Sequence, residues 1–462
     1  MTETSTLTSA QAWRALAAMM IGFFMLLLDS TVVAVATPQF QEQLGASLNA
    51  VVWVTSIYLL TGAIPLLVTG RLGDRYGQRT MYLVGVGLFT ASSLWCGLAS
   101  SVEMLIVARA FQGLGGAIIA PQILSVISRI FPRNKRGAAM GIWGMVAGLA
   151  SLLGPLMGGI IVGYFSWHWI FIINVPIGLV SLILTSLWVP QLERTARRID
   201  IPSVLVSMLA VFAIVFALQQ GQALGWPAWS WLMLLGGVFL TALFIFMQYL
   251  TNRRGKDALV PLSLFKDRNF SVGSFAITTM GFAMGGFALP ISIYLQQGAG
   301  LAVEQAGLFF MPMAVISGSL SPLTGRLSDR IHPRHLLMIG YGFMGAGFVT
   351  AVFVMRDGVS FWWLLAAIAL KGVGNAFVWS PNSTVTMRDI DTAMSGSASG
   401  VYNTTRQVGS VMGAAAIGAM MQWGVASTTV VEAMGNAMIL PSLAALVGFI
   451  SILFLRDSRP IR

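Results

Sequence analysis

Fourteen apolar stretches of about twenty residues, parted by short polar joints, run the length of this 462-residue chain. They fall at 14–37, 49–69, 80–99, 104–127, 138–162, 168–189, 203–220, 229–250, 270–294, 305–325, 336–355, 361–384, 397–421 and 436–455. A helix of about twenty residues crosses a hydrocarbon layer roughly 30 Å thick. Such a helix also satisfies its own backbone where no water can. The pattern therefore predicts an all-α membrane protein. Composition agrees, with 56% hydrophobic and 9% charged residues; one water-soluble core cannot hide so much apolar surface. Fifty glycines suit close approach between membrane helices. The first apolar run, Trp13 to Thr37, carries Asp29, which the core of a cleaved secretory signal would avoid. It reads as the first span.

The net charge of +11 first points to nucleic acid or another anionic partner. Its distribution excludes that. Of the 27 basic residues, 23 fall on one set of joints and the tails, and only Arg356 on the other. The positive-inside rule then places both termini in the cytoplasm, with the chain multi-pass in a plasma (inner) membrane. Arg109, Lys371 and Arg406 are left inside spans, and Asp29 is the one acid clearly within a span. A single cysteine, Cys96, rules out an internal disulfide and a cysteine-rich metal site. No phosphate loop, metal-spaced cluster or nucleophile triad is evident, so no cofactor, no metal and no enzyme activity are expected.

The chain repeats itself. Gly70-Arg71-Leu72-Gly73-Asp74-Arg75 returns as Gly325-Arg326-Leu327-Ser328-Asp329-Arg330, 255 positions on. Gln112-Gly113-Leu114-Gly115 is echoed by Lys371-Gly372-Val373-Gly374, and Gly137–Gly141 by Gly396–Gly400, both at an offset of 259. These echoes imply two six-helix halves of like orientation, the parallel-repeat plan of one transporter class. The expected division is an N-terminal half at 1–190, a linker at 191–268 with two extra central spans, and a C-terminal half at 269–462.

Five motifs carry chemistry. In Leu28-Asp29-Ser30-Thr31-Val32 a carboxylate sits in the membrane, where a charge costs about 2.5–3.5 kcal/mol to insert. A low dielectric disfavours its charged form, so it can load and release protons; alternatively, it ties two helices together by hydrogen bonds. In the joint Gly70 to Arg79, with Gly77 before Gln78, glycines permit a tight reversal. Asp74 there can face a helix N-terminus of the other half and pair with arginines as a latch. The second copy, with Asp329 and Arg330, has His332 in place of the Gly77 glycine and is expected to latch less strongly. Arg109, three residues before Gln112, needs a buried partner, and Asp29 is the natural one; backbone carbonyls are the alternative. Gly148, Gly154, Pro155, Gly158 and Gly159 give span five a smooth face and a place to kink. Trp167-His168-Trp169 introduces span six with aromatic residues suited to a membrane interface, and His168 is read as interfacial rather than as a pH sensor.

Together these motifs resemble the fourteen-span drug:proton antiporter family of the major facilitator superfamily, over about residues 13–455. They are similar to that family's Leu-Asp-x-Thr-Val first span, Gly-x-x-x-Asp-Arg-x-Gly-Arg-Lys loop and Gly-x-x-x-Gly-Pro-x-x-Gly-Gly antiporter helix. Ala150 stands for the first glycine of the antiporter pattern, and Gln78 for a basic residue of the loop. Residues 403–409 also resemble the family's thirteenth span. The resemblance implies a major facilitator fold with two six-helix bundles plus two extra central spanning helices. It also implies a proton relay containing Arg109 beside Asp29 and Gln112, and export of small lipophilic compounds by proton antiport and alternating access. Thr31, Trp143, Lys371, Asn403 and Arg406 are candidates to line the cavity, where Lys371 would favour anionic or neutral substrates. The partners implied are a small molecule, protons and lipid, with the chain a monomer. A proton-coupled nutrient importer and a non-transporting membrane sensor are the rival readings.

Overall fold

The computed structural model describes residues 8–194, 200–254 and 257–456. Arg197, Arg198, Lys256, Arg459 and Arg462 of the basic tally lie outside the described residues. All regular structure among the described residues is helical. The first group is α1 (Ser9–Leu44), α2 (Leu48–Ala63), α3 (Leu66–Tyr76), α4 (Gln78–Gly97), α5 (Val102–Ile130), α6 (Arg136–Tyr164), α7 (Trp169–Ile172) and α8 (Asn174–Trp188). Next come α9 (Ile201–Ala223) and α10 (Ala228–Arg253). The last group is α11 (Arg268–Gly285), α12 (Ala288–Ile293), α13 (Val303–Leu308), α14 (Met311–Arg330), α15 (Pro333–Val354), α16 (Trp363–Met387), α17 (Ser395–Val425), α18 (Val430–Ala437) and α19 (Ile439–Ile452).

Thirteen stretches are long and apolar enough to span a membrane, and the α2–α3 pair, bent by 48°, makes a fourteenth. The bend falls at Ile64-Pro65, where proline lacks the amide that would continue the helix. Local chemistry sets other ends. Thr8 and Gln11 form a capping box ahead of α1, which stops at Gly45 in the left-handed region with φ +60°. Ser47, Ser101 and Asp267 cap α2, α5 and α11.

Several helices outrun the apolar windows on the side that carries the basic joints, here called the basic face. Thus α3 continues to Tyr76 and α14 to Arg330. Hydropathy ends where water begins, whereas the backbone ladder continues into water, and arginine is a good helix former. The Gly70–Arg75 motif is therefore helix and not joint. Only Gly77, at φ +94°, makes the reversal.

The two groups meet mainly through glycine-lined helix faces. A Cβ on Gly70 of α3 would collide with the Gly396 carbonyl of α17, and one on Gly141 of α6 would crowd Ser321 of α14. Leu60 and Ala63 of α2 and Val411 and Ala415 of α17 form one buried cluster with Val211, Val215 and Leu218 of α9. The first extra helix thereby covers the seam between the halves. Beyond it, α10 turns Leu232 and Phe239 outward, 70% and 67% exposed, as a lipid-facing helix requires.

Candidate functional site

Five helices of the first group converge on Asp29. Gln112 follows Arg109 by three residues on α5, so both side chains lie on one face. Arg109 Nη1 donates to Asp29 Oδ2 at 2.6 Å and to Gln112 Oε1 at 2.6 Å. Gln112 Nε2 donates to Asp29 Oδ1 at 2.9 Å and to Ser93 Oγ of α4 at 2.7 Å. The break between α7 and α8 places Asn174 at the start of α8, from which Nδ2 donates to Asp29 Oδ1 at 3.0 Å. On the far side of Arg109, Nε donates to the Val54 carbonyl of α2 at 3.3 Å, and the Tyr58 ring stands 4.0 Å from the guanidinium carbon. Asp29 and Arg109 are each 1% exposed, and Gln112, Asn174 and Ser93 are wholly buried. A buried ion pair persists when further hydrogen bonds satisfy what the pair leaves over. Here three donors meet the two carboxylate oxygens, and the guanidinium keeps three other partners.

The second constellation lies at the basic face. Asp74 accepts from the Gly396 and Ser397 amides, each at 3.0 Å, and from Ser397 Oγ at 3.2 Å. It thus caps the N-terminus of α17, a helix of the other half. Asp329 does the same for α6, accepting from the Gly137 and Ala138 amides at 2.7 and 2.9 Å. The second latch is fully made, with shorter amide bonds and one hydroxyl donor fewer. His332 does not stand in its way: Nδ1 accepts from the Arg334 amide and starts α15. Arg75 takes no part in the Asp74 latch. Neighbours on a helix point about 100° apart, and Arg75 is exposed over the Tyr76 ring. Gln78 fills the arginine's expected place, donating to Asp74 Oδ1 at 3.2 Å and accepting from Arg129 at 2.9 Å. Arg79 donates to the Ser186 carbonyl, and Arg330 is exposed at the end of α14. Further bonds join the halves at this end, among them Ser125 with Ser395, Arg129 with Thr392 and Arg136 with Arg388. The basic face is shut.

A family model described as the Major Facilitator Superfamily matches residues 19–414. This chain belongs to the Major Facilitator Superfamily. An uncharacterized MFS-type transporter of Mycobacterium tuberculosis is 41% identical, the match covering 96% of this chain and 81% of that one. The multidrug resistance protein Stp of the same species is 33% identical, covering 87% of this chain and 74% of its own. The solved proton:xylose symporter XylE shares the fold at a TM-score of 0.68 and 15% identity, covering 95% of each chain. The chain is accordingly a multi-pass membrane transporter with relatives that confer drug resistance.

The remaining candidates of this superfamily member divide between seam and interior. Gly148 of α6 packs on Gly318 of α14 across the seam, whereas Gly154 packs on Thr31 within the first half. The Thr31 hydroxyl donates to the Leu28 carbonyl of its own helix at 2.9 Å. Gly158 is buried, but Gly159 is exposed and meets nothing, so the smooth face is shorter than the motif. Pro155 falls within α6, and its side chain lies outside the described residues. Trp143 is 2% exposed at the seam, its ring 5.5 Å from that of Phe23 and 5.4 Å from that of Trp379. Asn403 donates to the Ser399 carbonyl of its own helix at 2.9 Å. Arg406 lies over the Trp379 ring at 5.4 Å. Lys371 is 2% exposed inside the second half, with Nζ against the Phe287 ring and 5.3 Å from that of Phe348. It is enclosed within the second half rather than turned to the seam. Sequence reasoning missed Ser93, Asn174 and Tyr58 as members of the Asp29 network. Asn174 belongs to the motif that opens span six at Trp167, whereas for Ser93 and Tyr58 the only signal was a polar side chain within an apolar run.

Proposed function

We propose that this transporter exports small lipophilic compounds across the plasma membrane in exchange for protons, as a monomer whose basic face and termini are cytoplasmic. The observation that supports this reading is the buried Asp29, held by Arg109, Gln112 and Asn174. Protonation of Asp29 cancels its attraction for Arg109. The arginine keeps Gln112 Oε1, the Val54 carbonyl and the Tyr58 ring, so the site can change charge without stranding a cation. The helices that meet there, α1 and α5, also touch the seam: Phe23 of α1 reaches Trp143, and Pro121 of α5 accepts from Ser399 of α17. Loading a proton can thereby bias the halves between two arrangements, with the Asp74 and Asp329 latches shut in one and released in the other.

An ion gradient is sufficient fuel. One charge crossing 100 mV yields about 2.3 kcal/mol and each pH unit about 1.4, together enough for a roughly hundredfold gradient or more. The test uses everted membrane vesicles containing the chain and an aromatic dye such as fluorescein. Acidifying the vesicle interior is expected to drive dye inward, and Asp29→Asn is expected to abolish this with the protein still in the membrane. Dye movement in the opposite direction, or unchanged uptake in the variant, overturns the reading.

A further inference from the structure

Of the three cations inside the spans, Arg109 alone has an acid within 4 Å among the described residues. Arg406 is half-buried on α17 with Nε lacking an acceptor, and its guanidinium carbon stands 5.4 Å from the centre of the Trp379 ring of α16. Trp379 in turn meets Trp143 of α6, a residue of the other half. Both indole N–H groups are buried without a hydrogen-bond partner, and Trp143 is 98% buried overall. One turn before Trp379, Asn375 donates to Ser317 at 2.9 Å, and its Oδ1 has no donor.

The place is specific. Arg406 lies nine residues beyond Ser397 and Trp143 six beyond Gly137, so they stand about 14 and 9 Å above the two latches at 1.5 Å per residue. This cluster lies at the seam between the halves, above the shut basic face. The internal repeat does not account for it, since the offset of 259 pairs Arg406 with Ala147.

We propose that Arg406, Trp379 and Trp143 form a subsite for planar aromatic organic anions: carboxylates, sulfonates or phenolates carried on a ring system. This names the substrate class of the exporter proposed above and rests on that reading. The guanidinium, within cation–π range of an indole, offers its N–H fork to an anion. An unpartnered buried donor is costly, and an acceptor delivered by the substrate recovers that cost. The substrate ring stacks on the two indoles. With no acid beside Arg406, an anion supplies the missing counter-charge and a cation is repelled.

The test is equilibrium binding to the purified full chain in detergent, without any gradient, followed by anisotropy of fluorescein (a planar anion) and ethidium (a planar cation). Wild type is expected to bind fluorescein, and Arg406→Gln to weaken it at least tenfold. Arg406→Lys should retain part of the affinity, because the charge stays but the planar fork is lost. Trp379→Leu should also weaken fluorescein, and ethidium should bind Arg406→Gln no worse than wild type. Thermal unfolding of each variant separates lost binding from lost folding. Wild type that binds only ethidium or neither dye, or Arg406→Gln that leaves fluorescein unchanged or weakens both dyes equally, overturns the subsite. Fluorescein binding that depends on Arg406, without gradient-driven flux in vesicles, counts against export alone. Gradient-driven dye flux without that binding counts against the subsite alone.

Discussion

Asp29 and Arg109 are each other's reason for being tolerated in the membrane, and this separates their structural task from their chemical one. Arg109→Gln leaves a carboxylate buried with no opposite charge, which typically costs 3–5 kcal/mol. We expect a clearly lowered Tm and poor yield. Adding Asp29→Asn removes both charges, and Tm should return most of the way to wild type. Gradient-driven transport should stay lost, because no group in the site can then take up a proton. Thermal unfolding in detergent paired with vesicle flux checks this, and a double variant that transports on a pH gradient would remove the pair from the mechanism. Much of this pair is readable from sequence, since a lone embedded acid and a lone embedded arginine in the same half have few other partners. Asn174 and Ser93 are not readable in the same way. Their hydrogen bonds to the network depend on how α4 and α8 are rotated against α1, and hydropathy carries no rotational information.

Between helices, the two latches share one device, a carboxylate on the end of one helix capping the first amides of a helix in the other half. A hydrogen bond to a charged group contributes about 1.5–3 kcal/mol, so Asp74→Asn should shift the balance toward an open basic face by roughly ten- to hundredfold. Asp329→Asn should act similarly, and the two should combine nearly additively because they share no partner. Spin labels at exposed Arg75 and Arg326, in a Cys96→Ala background, report the separation of the halves. Each substitution should enlarge the population at long distance, and an unchanged distribution would show that the latches do not hold this face. Gly141→Val should open it by a different route, since any Cβ there meets Ser321 and Pro322 of α14. The repeated Gly-Arg-Leu and Asp-Arg pattern announces the latches in the sequence. Its placement does not follow from hydropathy, because a charged helical turn at the water boundary reads as a loop. The breaks near Pro65, between α7 and α8, and between α11 and α12 are likewise hidden inside uniformly apolar runs.

Over the whole molecule the two halves share a scaffold and differ in chemistry. Gly115 approaches Gly85 and Phe89 in the first half just as Gly374 approaches Gly340 and Met344 in the second, at offsets of 259 and 255. Upon that common frame, Gln112 meets Asp29 and Ser93, whereas its counterpart Lys371 meets the rings of Phe287 and Phe348. The second half thus keeps the shape of the site without its acid or its acceptors. The repeat is legible in the sequence, and so is the exchange of Gln112 for Lys371. The aromatic cage is not, because it depends on which face of α15 turns inward. Lys371 Nζ makes no hydrogen bond, so removing it strands no polar partner. Lys371→Met keeps the length of the side chain and fills the same apolar space, a change that ordinarily costs under about 1.5 kcal/mol. With an amine withdrawn from a buried apolar cage, we expect an equal or higher Tm. Gradient-driven flux should persist within about threefold of wild type, in contrast to Asp29→Asn. Measured side by side in the same vesicles, loss of flux in Lys371→Met with an intact Tm would show that coupling is shared between the halves, and the assignment of the proton to the first half alone would fall.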